Sequence, residues 1–166
     1  MKQITLDATD LQLLDALQQD ASQSNQALAE RVGISPPTCL RRVRRLRESG
    51  WIERVVAVLG AERVGALLTA VVEVSLDRQD AAALDAFEQR AVADEGVQQC
   101  YRVSPGPDFV LVVAVLDMPG YHALAQRLFT TDANVRNVKA FFSVKRAKFA
   151  TRVPLPAPEG EPAGNR

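Results

Sequence analysis

The chain has 166 residues, 47% of them hydrophobic, and its 20 lysines and arginines balance 20 aspartates and glutamates. Such a length accommodates one domain or two small ones with ordinary apolar cores. No stretch approaches the ~18 apolar residues of a membrane span and no signal sequence opens the chain, so we expect a cytoplasmic protein without a membrane partner. Because the net charge is zero, binding to nucleic acid would have to come from a local basic patch.

The first predicted element is a helix that begins after Asp7, a candidate N-cap. Leu11, Leu14 and Leu17 recur at helical spacing until a polar break at residues 18–20. The apolar face of this helix can cover the segment that follows it.

Residues 24–50 predict two short helices around a turn. Ser24 is a suitable N-cap for the first helix, and Gly33 can take the left-handed conformation that ends it. Ser35 and Pro36 match an N-cap followed by the proline that suits a first helical position. These local signals together indicate a helix-turn-helix.

The second helix of this motif carries five arginines within residues 41–47, and residues 41–54 hold six arginines against two glutamates. This surface lacks counter-charge, and guanidinium groups pair with guanine edges and phosphates, so it favours binding to duplex DNA. The other interpretation is a basic face that is merely solvated. Helical angles put Cys39, Leu40, Val43 and Leu46 on the apolar side and Thr38, Arg41 and Arg45 opposite, with Arg42 and Arg44 flanking them.

A recognition helix places its N-terminal residues nearest the bases of the major groove. The predicted DNA-binding residues are Ser35, Pro37, Thr38, Arg41, Arg42, Arg45 and Arg54, of which Arg45 and Arg54 would contact phosphates while Pro37, Thr38, Arg41 and Arg42 would face the bases. Arg44 and Arg47 lie nearer the apolar side, where packing or an intradomain ion pair is at least as suitable.

Residues 51–59 are rich in apolar and β-branched side chains, which predicts a strand that forms a wing after the helix-turn-helix. The first domain would therefore be a winged helix-turn-helix over residues 1–60.

From residue 67 onward the pattern predicts strand, helix, strand, strand, helix, strand, over residues 67–76, 80–93, 97–104, 109–116, 119–129 and 134–146. This order is typical of a ferredoxin-like βαββαβ domain, which we place over residues 61–149, so the fold class is α+β. The strand FVLVVAVL is apolar on both faces, which predicts a dimer built sheet against sheet or a monomer that hides an unusually apolar strand. Residues 150–166, with four prolines, predict a flexible tail.

Over about residues 5–150 the sequence resembles the Lrp/AsnC family of bacterial and archaeal transcription regulators. The family's opening pattern is matched at Leu6, Asp7, Asp10, Leu14, Leu17, Gln18 and Asp20, and its recognition-helix pattern at Ser35, Cys39, Arg42, Val43 and Leu46. The resemblance implies a sequence-specific DNA-binding regulator that is at least a homodimer and often an octamer of four dimers. It also implies that an amino acid bound to the C-terminal domain changes DNA affinity or assembly.

In that family the small molecule lies between dimers, against the turn that joins the second and third strands. In this chain the turn keeps Asp108, while Pro105 stands where the family commonly has glycine. The resemblance implies effector contacts from Ser104, Pro105, Gly106, Asp108, Phe109, Met118, Phe141, Phe142 and Ser143. Asp108 would either meet a charged end of the amino acid or cap a turn, and the aromatic pair of the last strand would either line the pocket or belong to the core.

The sequence contains no arrangement of residues that indicates catalysis. His122 is the only histidine, Cys39 and Cys100 lack metal-ligand spacing, and no nucleotide-binding motif is present. We therefore expect a protein that is not an enzyme and needs no cofactor or metal. Two rival functions stay open: an effector-independent architectural protein of the nucleoid type, and a sensor or enzyme whose helix-turn-helix only contacts proteins.

Overall fold

The structure is a computed structural model and describes residues 5–60, 63, 65 and 67–156. These residues form two units. The first unit contains the described residues up to Ala57 and from Lys148 onward, and the second contains those between them. The chain therefore leaves the first unit after its helices and returns to it near its C-terminal end. The predicted boundaries, after residues 60 and 149, lie close to these.

Three helices form the main part of the first unit: α1 (Ala8–Gln19), α2 (Asn25–Val32) and α3 (Pro36–Glu48). A capping box starts α1, because the side chains of Asp7 and Asp10 each accept a hydrogen bond from the other residue's backbone N–H. Gly33 ends α2 in the left-handed region, with a φ of 74°. The predicted helix-turn-helix is therefore confirmed. The helices share a buried core of Leu13, Leu14, Ala16, Leu28, Ala29, Cys39 and Leu46.

The predicted wing strand over residues 51–59 is wrong, since residues 53–60 form neither helix nor strand and their side chains are exposed. A strand needs a partner for its backbone N–H and C=O groups, and the described part of the first unit contains no strand to supply one. Ile52 packs against the core, and its N–H donates to the Leu46 carbonyl at 3.2 Å. The connection to the second unit thus starts at an anchored residue and has no regular structure over residues 53–60.

The described end of the chain, residues 148–156, belongs to the first unit, and we name it the C-terminal strap. Gln18 on α1 contacts the Val153 backbone twice: the Val153 N–H donates to Oε1 at 2.7 Å, and Nε2 donates to the Val153 carbonyl at 3.3 Å. Arg152 forms an ion pair with Asp15 at 2.5 Å. The strap is therefore attached to α1 by polar contacts on both sides of the peptide.

Leu155 adds an apolar contact, because its half-buried side chain packs against the helical core. Residues 150–156, the described part of the predicted tail, thus contact the first unit through Leu155 and through the polar groups of Arg152 and Val153. The remainder of the predicted tail, residues 157–166, lies outside the described residues.

The second unit folds as β1 (Leu68–Leu76), α4 (Ala81–Ala93), β2 (Val97–Arg102), β3 (Phe109–Val115), α5 (Met118–Ala125), a π-helical turn (Gln126–Thr130) and β4 (Val135–Phe142). The sheet has the order β2-β3-β1-β4, and every neighbouring pair of strands is antiparallel. This arrangement confirms the predicted ferredoxin-like domain and the α+β class.

The two central strands place alternate side chains on opposite faces of the sheet. One face packs against the helices and forms the core with Phe87, Ala91, Tyr121, Leu124, Ala70, Val72, Val74, Leu76, Phe109, Leu111 and Val113. The other, which we name the open face, holds Val71, Val110, Val112 and Phe141, with Glu73 opposite Lys139. Val71 is 39% exposed and Phe141 is 55% exposed. The open face therefore presents apolar side chains to solvent.

Replacing Leu155 by alanine should lower the free energy of unfolding of the first unit by about 1 kcal/mol, because a half-buried leucine gives up part of the roughly 2–5 kcal/mol of a fully buried one. Urea unfolding followed by the fluorescence of Trp51, the single tryptophan, measures this loss. Val153→Ala is the control, since its side chain is 59% exposed and its hydrogen bonds come from the backbone. Equal losses in the two variants would contradict the packing of the strap.

Candidate functional site

The start of α3 is held by two polar contacts. Asn25 Nδ2 donates to the Pro36 carbonyl at 2.9 Å, which ties the start of α2 to α3. Ser35 Oγ donates to Thr38 Oγ1 at 2.8 Å, and the Ser35 side chain makes no capping hydrogen bond to the helix backbone. Pro37 is exposed beside them. The first turn of α3 is therefore both accessible and anchored.

One face of α3 is exposed along its whole length, and we name it the free face; it holds Pro37, Leu40, Arg41, Arg44 and Arg47. Cys39 and Leu46 are fully buried and define the opposite side of the helix. Leu40 is 61% exposed, so its predicted place on the apolar side is wrong. The reason is geometric, because Leu40 is rotated by about 100° from Cys39, away from the line of buried residues.

Two arginines of α3 are paired with carboxylates of α1. Arg42 Nη1 contacts Asp7 Oδ2 at 2.7 Å and Asp10 Oδ1 at 2.9 Å, and Arg45 Nη2 contacts Asp10 Oδ2 at 2.5 Å. Among the described residues, Asp10 is the one charged side chain that is buried, with 0% exposure. The prediction of an arginine surface without counter-charge is therefore wrong at Arg42 and Arg45, whose partners lie on a different helix.

Two side chains of this cluster, Asp7 and Arg42, have pKa values shifted in favour of their charged forms. Desolvation raises the pKa of Asp7, but hydrogen bonds from Arg42 and from the Asp10 backbone, with the charge of Arg42, hold that pKa below its ordinary value of 3.8. Hydrogen bonds to Asp7 and Asp10 raise the pKa of Arg42. Nε of Arg42 is buried without a hydrogen-bond partner among the described residues. Arg42 is thus held against α1 rather than presented to solvent.

The other cations near α3 are accessible. Arg44 Nε pairs with Glu48 at 2.7 Å, which is an intradomain ion pair, but the Arg44 side chain is 78% exposed and does not lie beside the apolar side as predicted. Arg41, Arg47 and Arg54 are exposed, and they form no ion pair within the described part of the chain. Spacing from Cys39 and Leu46 alone would have placed Arg44 and Arg47 on the free face.

The turn between β2 and β3 carries the second group of predicted site residues. Asp108 Oδ2 accepts a hydrogen bond from the Leu76 N–H at 2.7 Å, and the Asp108 N–H donates to the Val74 carbonyl at 2.9 Å. The Leu76 N–H points to Asp108 where the pairing of β1 with β4 shifts register, between Ser75 and Leu76. Asp108 therefore has the contacts of a turn-capping residue, and its Oδ1 makes no hydrogen bond to the described residues.

The residues that precede Asp108 in this turn, Ser104, Pro105 and Gly106, are exposed, and the Ser104–Pro105 peptide is cis. Phe109 belongs to the core instead, since it is 0% exposed and its ring lies 4.8 Å from that of Phe87. It is thus not available to line a site on the surface of the turn.

Met118, Phe141, Phe142 and Ser143 lie at the other end of the sheet. Phe142 pairs with Ala70, and the Ser143 N–H donates to the Thr69 carbonyl, whereas Asp108 contacts Leu76. Six residues of β1 separate the two positions, which is about 20 Å along a strand. The predicted effector residues therefore form two separate groups within one chain.

The Phe142 ring lies 4.9 Å from the Tyr121 ring on α5, while Phe141 is on the open face. The two aromatic residues of β4 thus point to opposite sides of the sheet, and Phe142 contacts Tyr121 while it stays 41% exposed.

Further features of the described residues bear on chemistry. Burial raises the pKa of the free thiols Cys39 and Cys100, so neither is an activated nucleophile. No group of three or more His, Cys, Asp or Glu side chains in the described ranges is placed to hold a metal ion. In those same ranges no helix combines the length and apolarity needed to cross a membrane.

Two protein-family models match the chain. The model described as winged helix-turn-helix DNA-binding matches residues 6–53, and the model described as the Lrp/AsnC ligand binding domain matches residues 69–153. The first match contains the three helices, and the second contains the sheet and its helices.

Known proteins are similar over nearly their full lengths. The leucine-responsive regulatory protein of Rhizobium meliloti is 36% identical over 152 residues, which are 92% of this chain and 97% of that protein. The crystal structure of an AsnC family transcriptional regulator from Agrobacterium tumefaciens has a TM-score of 0.82 at 30% identity, with 90% and 97% of the two chains covered. A transcriptional regulator from Neisseria meningitidis, solved as its L-methionine complex, has a TM-score of 0.82 at 29% identity and the same coverage.

The depressed pKa of Asp7 predicts a loss of stability in acid. A carboxyl whose folded pKa lies below its unfolded value of about 3.9 contributes stability that is complete above that value and is lost as the pH falls through the folded pKa. Asp7→Asn removes the charge and keeps an N-cap of similar quality. We expect the free energies of unfolding of wild type and variant to differ above a pH of about 4 and to converge below it, as Trp51 fluorescence during urea unfolding will measure. A difference that does not change with pH would contradict the ion pair.

Proposed function

The chain belongs to the Lrp/AsnC family of transcriptional regulators, and on this premise we propose that it binds duplex DNA through the free face of α3 and responds to an amino acid bound by its second unit. Its sequence matches the winged helix-turn-helix model and the ligand-binding domain model in that order. Its named relatives are regulators, so we assign no catalytic step and no cofactor. We propose a cytoplasmic location as well, because the protein has to reach DNA.

The observation that carries DNA binding is the position of Arg41. Its side chain is exposed in the second turn of α3, and it has no ion pair among the described residues. A guanidinium at this position of a recognition helix can donate two hydrogen bonds to O6 and N7 of a guanine. Ser35, Pro37 and Thr38 form the first turn beside it and reach the neighbouring base edges or sugars. Arg54, exposed beyond the helix, contacts phosphate.

Arg41→Ala should weaken the free energy of binding to a preferred duplex by about 1–3 kcal/mol and that to a random duplex by much less, because a bidentate contact to a base discriminates between DNA sequences. Fluorescence anisotropy measures both affinities, with the preferred duplex selected by the wild-type protein from a random library.

Arg47→Ala is the matched control, since it removes the same charge from the other end of the free face. We expect it to weaken both duplexes alike and to flatten the slope of log K against log salt by about 0.9. Equal losses on the two duplexes for Arg41→Ala would contradict base reading. Equal wild-type affinity for both duplexes would favour the second candidate, an architectural protein that binds DNA without sequence preference.

We propose further that two copies pair through the open face of the sheet. Val71, Val112 and Phe141 leave apolar surface uncovered there, and a contiguous patch of that kind marks an interaction surface. A two-fold pair uses the same face twice, so Glu73 and Lys139 supply both signs of charge to the contact. Two heads on one dimer favour half-sites about 10 base pairs apart, or a multiple of that. Assembly of such dimers into the octamer of the family is a further step of the same proposal.

The effector site, in this proposal, is completed by a second copy. Because the two groups of predicted residues lie about 20 Å apart within one chain, a single amino acid contacts only one group of each chain. The turn group offers the backbone N–H groups of the exposed residues Ser104 and Gly106 and the carboxylate oxygen Asp108 Oδ1, which suit the carboxylate and the ammonium of an amino acid. The L-methionine complex of the Neisseria meningitidis regulator supports an amino acid as the ligand class.

Titration calorimetry against the twenty amino acids, beside light scattering with and without each of them, tests the effector and the assembly together. We expect heat from at least one amino acid, a mass of two or more 18.1 kDa chains, and a loss of binding of about tenfold or more in Asp108→Asn, since a charge-assisted hydrogen bond is worth roughly 1.5–3 kcal/mol. The amide oxygen that this substitution introduces still accepts from the Leu76 N–H, so the turn keeps its cap. No heat with any amino acid would leave an effector-independent regulator, and a mass of one chain would contradict pairing through the open face.

A further inference from the structure

The buried carboxylate of α1 neutralises part of the arginine surface of α3. Asp10 binds Arg42 and Arg45, and Asp7 binds Arg42 a second time. We propose that Asp10, assisted by Asp7, is a specificity-determining residue of DNA binding, which keeps Arg42 and Arg45 off the phosphate backbone. The inference rests on the proposed binding of DNA by the free face of α3.

The charges of the cluster cancel, because it contains two carboxylates and two guanidinium groups. Helix α3 by itself carries five arginines and one glutamate. With the cluster neutral, the arginines of α3 left to meet DNA are Arg41, Arg44 and Arg47, and Arg44 already shares its charge with Glu48. The helix that the sequence presents as strongly basic therefore offers few uncompensated charges.

The geometry limits what the two paired arginines can do. Arg42 is 23% exposed, and one of its nitrogens serves both carboxylates. Arg45 is 45% exposed, so it is within reach of solvent, but a phosphate that approaches it also approaches the carboxylate of Asp10 and is repelled. Moving Arg45 away would leave a buried charge with fewer partners, which is costly. Arg45 therefore remains with Asp10 when DNA binds.

Specificity follows from the difference between phosphate and base contacts. Affinity for random DNA rises with the number of phosphates that the protein neutralises, whereas discrimination comes from base edges. Withholding Arg42 and Arg45 lowers the affinity for random DNA and leaves Arg41 free to read a base. Asp10 thus increases the ratio of specific to random binding without touching DNA.

Asp10→Asn keeps the size of the side chain and removes its charge. We expect it to steepen the slope of log K against log salt by about 0.9 and to raise the affinity for a random duplex by up to about eightfold at 0.1 M salt, since one further phosphate contact releases ~0.9 counterion. The ratio of affinities for the selected and random duplexes should fall by a similar factor. In the double variant Asp10→Asn with Arg45→Gln, the slope should return to the wild-type value.

Asp20→Asn is the matched control, because it adds the same charge at the other end of α1, where the carboxylate contacts Ser22 and no arginine of α3. Its salt slope should stay within about 0.3 of wild type. If Asp10→Asn keeps the Trp51 unfolding transition and shows an unchanged slope, the inference is overturned.

The single variant Arg45→Gln tests whether Arg45 is kept off phosphate even if Asp10→Asn does not fold, because it keeps the ion pair between Asp10 and Arg42. The inference expects an unchanged salt slope and unchanged affinity for random DNA. A slope flattened by about 0.9 would show that Arg45 contacts phosphate in the wild type. This result would overturn the inference but not the proposed function. A wild-type protein that binds neither duplex would overturn the proposed function, and this inference with it.

Discussion

The first unit depends on the hydrogen bonds of one buried carboxylate. Asp10 accepts from the Asp7 backbone at the start of α1 and from the guanidinium groups of Arg42 and Arg45 on α3. A carboxylate without exposure needs such donors, because burying it unpaired would cost far more than the apolar contacts around it contribute. Apolar packing has no direction, whereas these hydrogen bonds do. The rotation of α3 against α1 is therefore fixed by Asp10 together with the buried Cys39 and Leu46.

Elements whose causes are local could be predicted from the sequence. The caps at Asp7 and Ser24 and the left-handed Gly33 each act within a few residues, and the structure has all three where the pattern puts them. The strands of the second unit follow the same logic, since alternation in β1 and the apolar run of β3 are properties of short segments. Predicting their antiparallel order also requires the rules that govern connections between strands and helices, and for a βαββαβ chain these rules allow few sheet topologies.

The features that the sequence could not indicate arise from residues far apart in the chain. Arg42 and Arg45 find their partners 32 to 35 positions earlier, so a charge count over residues 41–54 alone misses them. Hydrogen bonds between paired strands also join residues that can lie far apart in the chain. Residues 53–60 have the composition of a strand, but the described part of the first unit offers no strand to pair with them. Phe109 shows the limit of alignment to a family motif, because exposed residues 104–106 and buried Phe109 lie within the same short segment.

The chain leaves the first unit, forms the second unit and then returns to α1, so the backbone connects the two units at two places. Gln18 and Val153 are 135 residues apart, and closing such a loop in an unfolded chain costs about 4 kcal/mol more than closing the shortest one. Folding of the second unit removes most of the freedom of that loop, so the strap docks on α1 at a lower entropic cost once the sheet exists. Since Leu155 packs against the helical core, the strap contributes to the stability of the first unit.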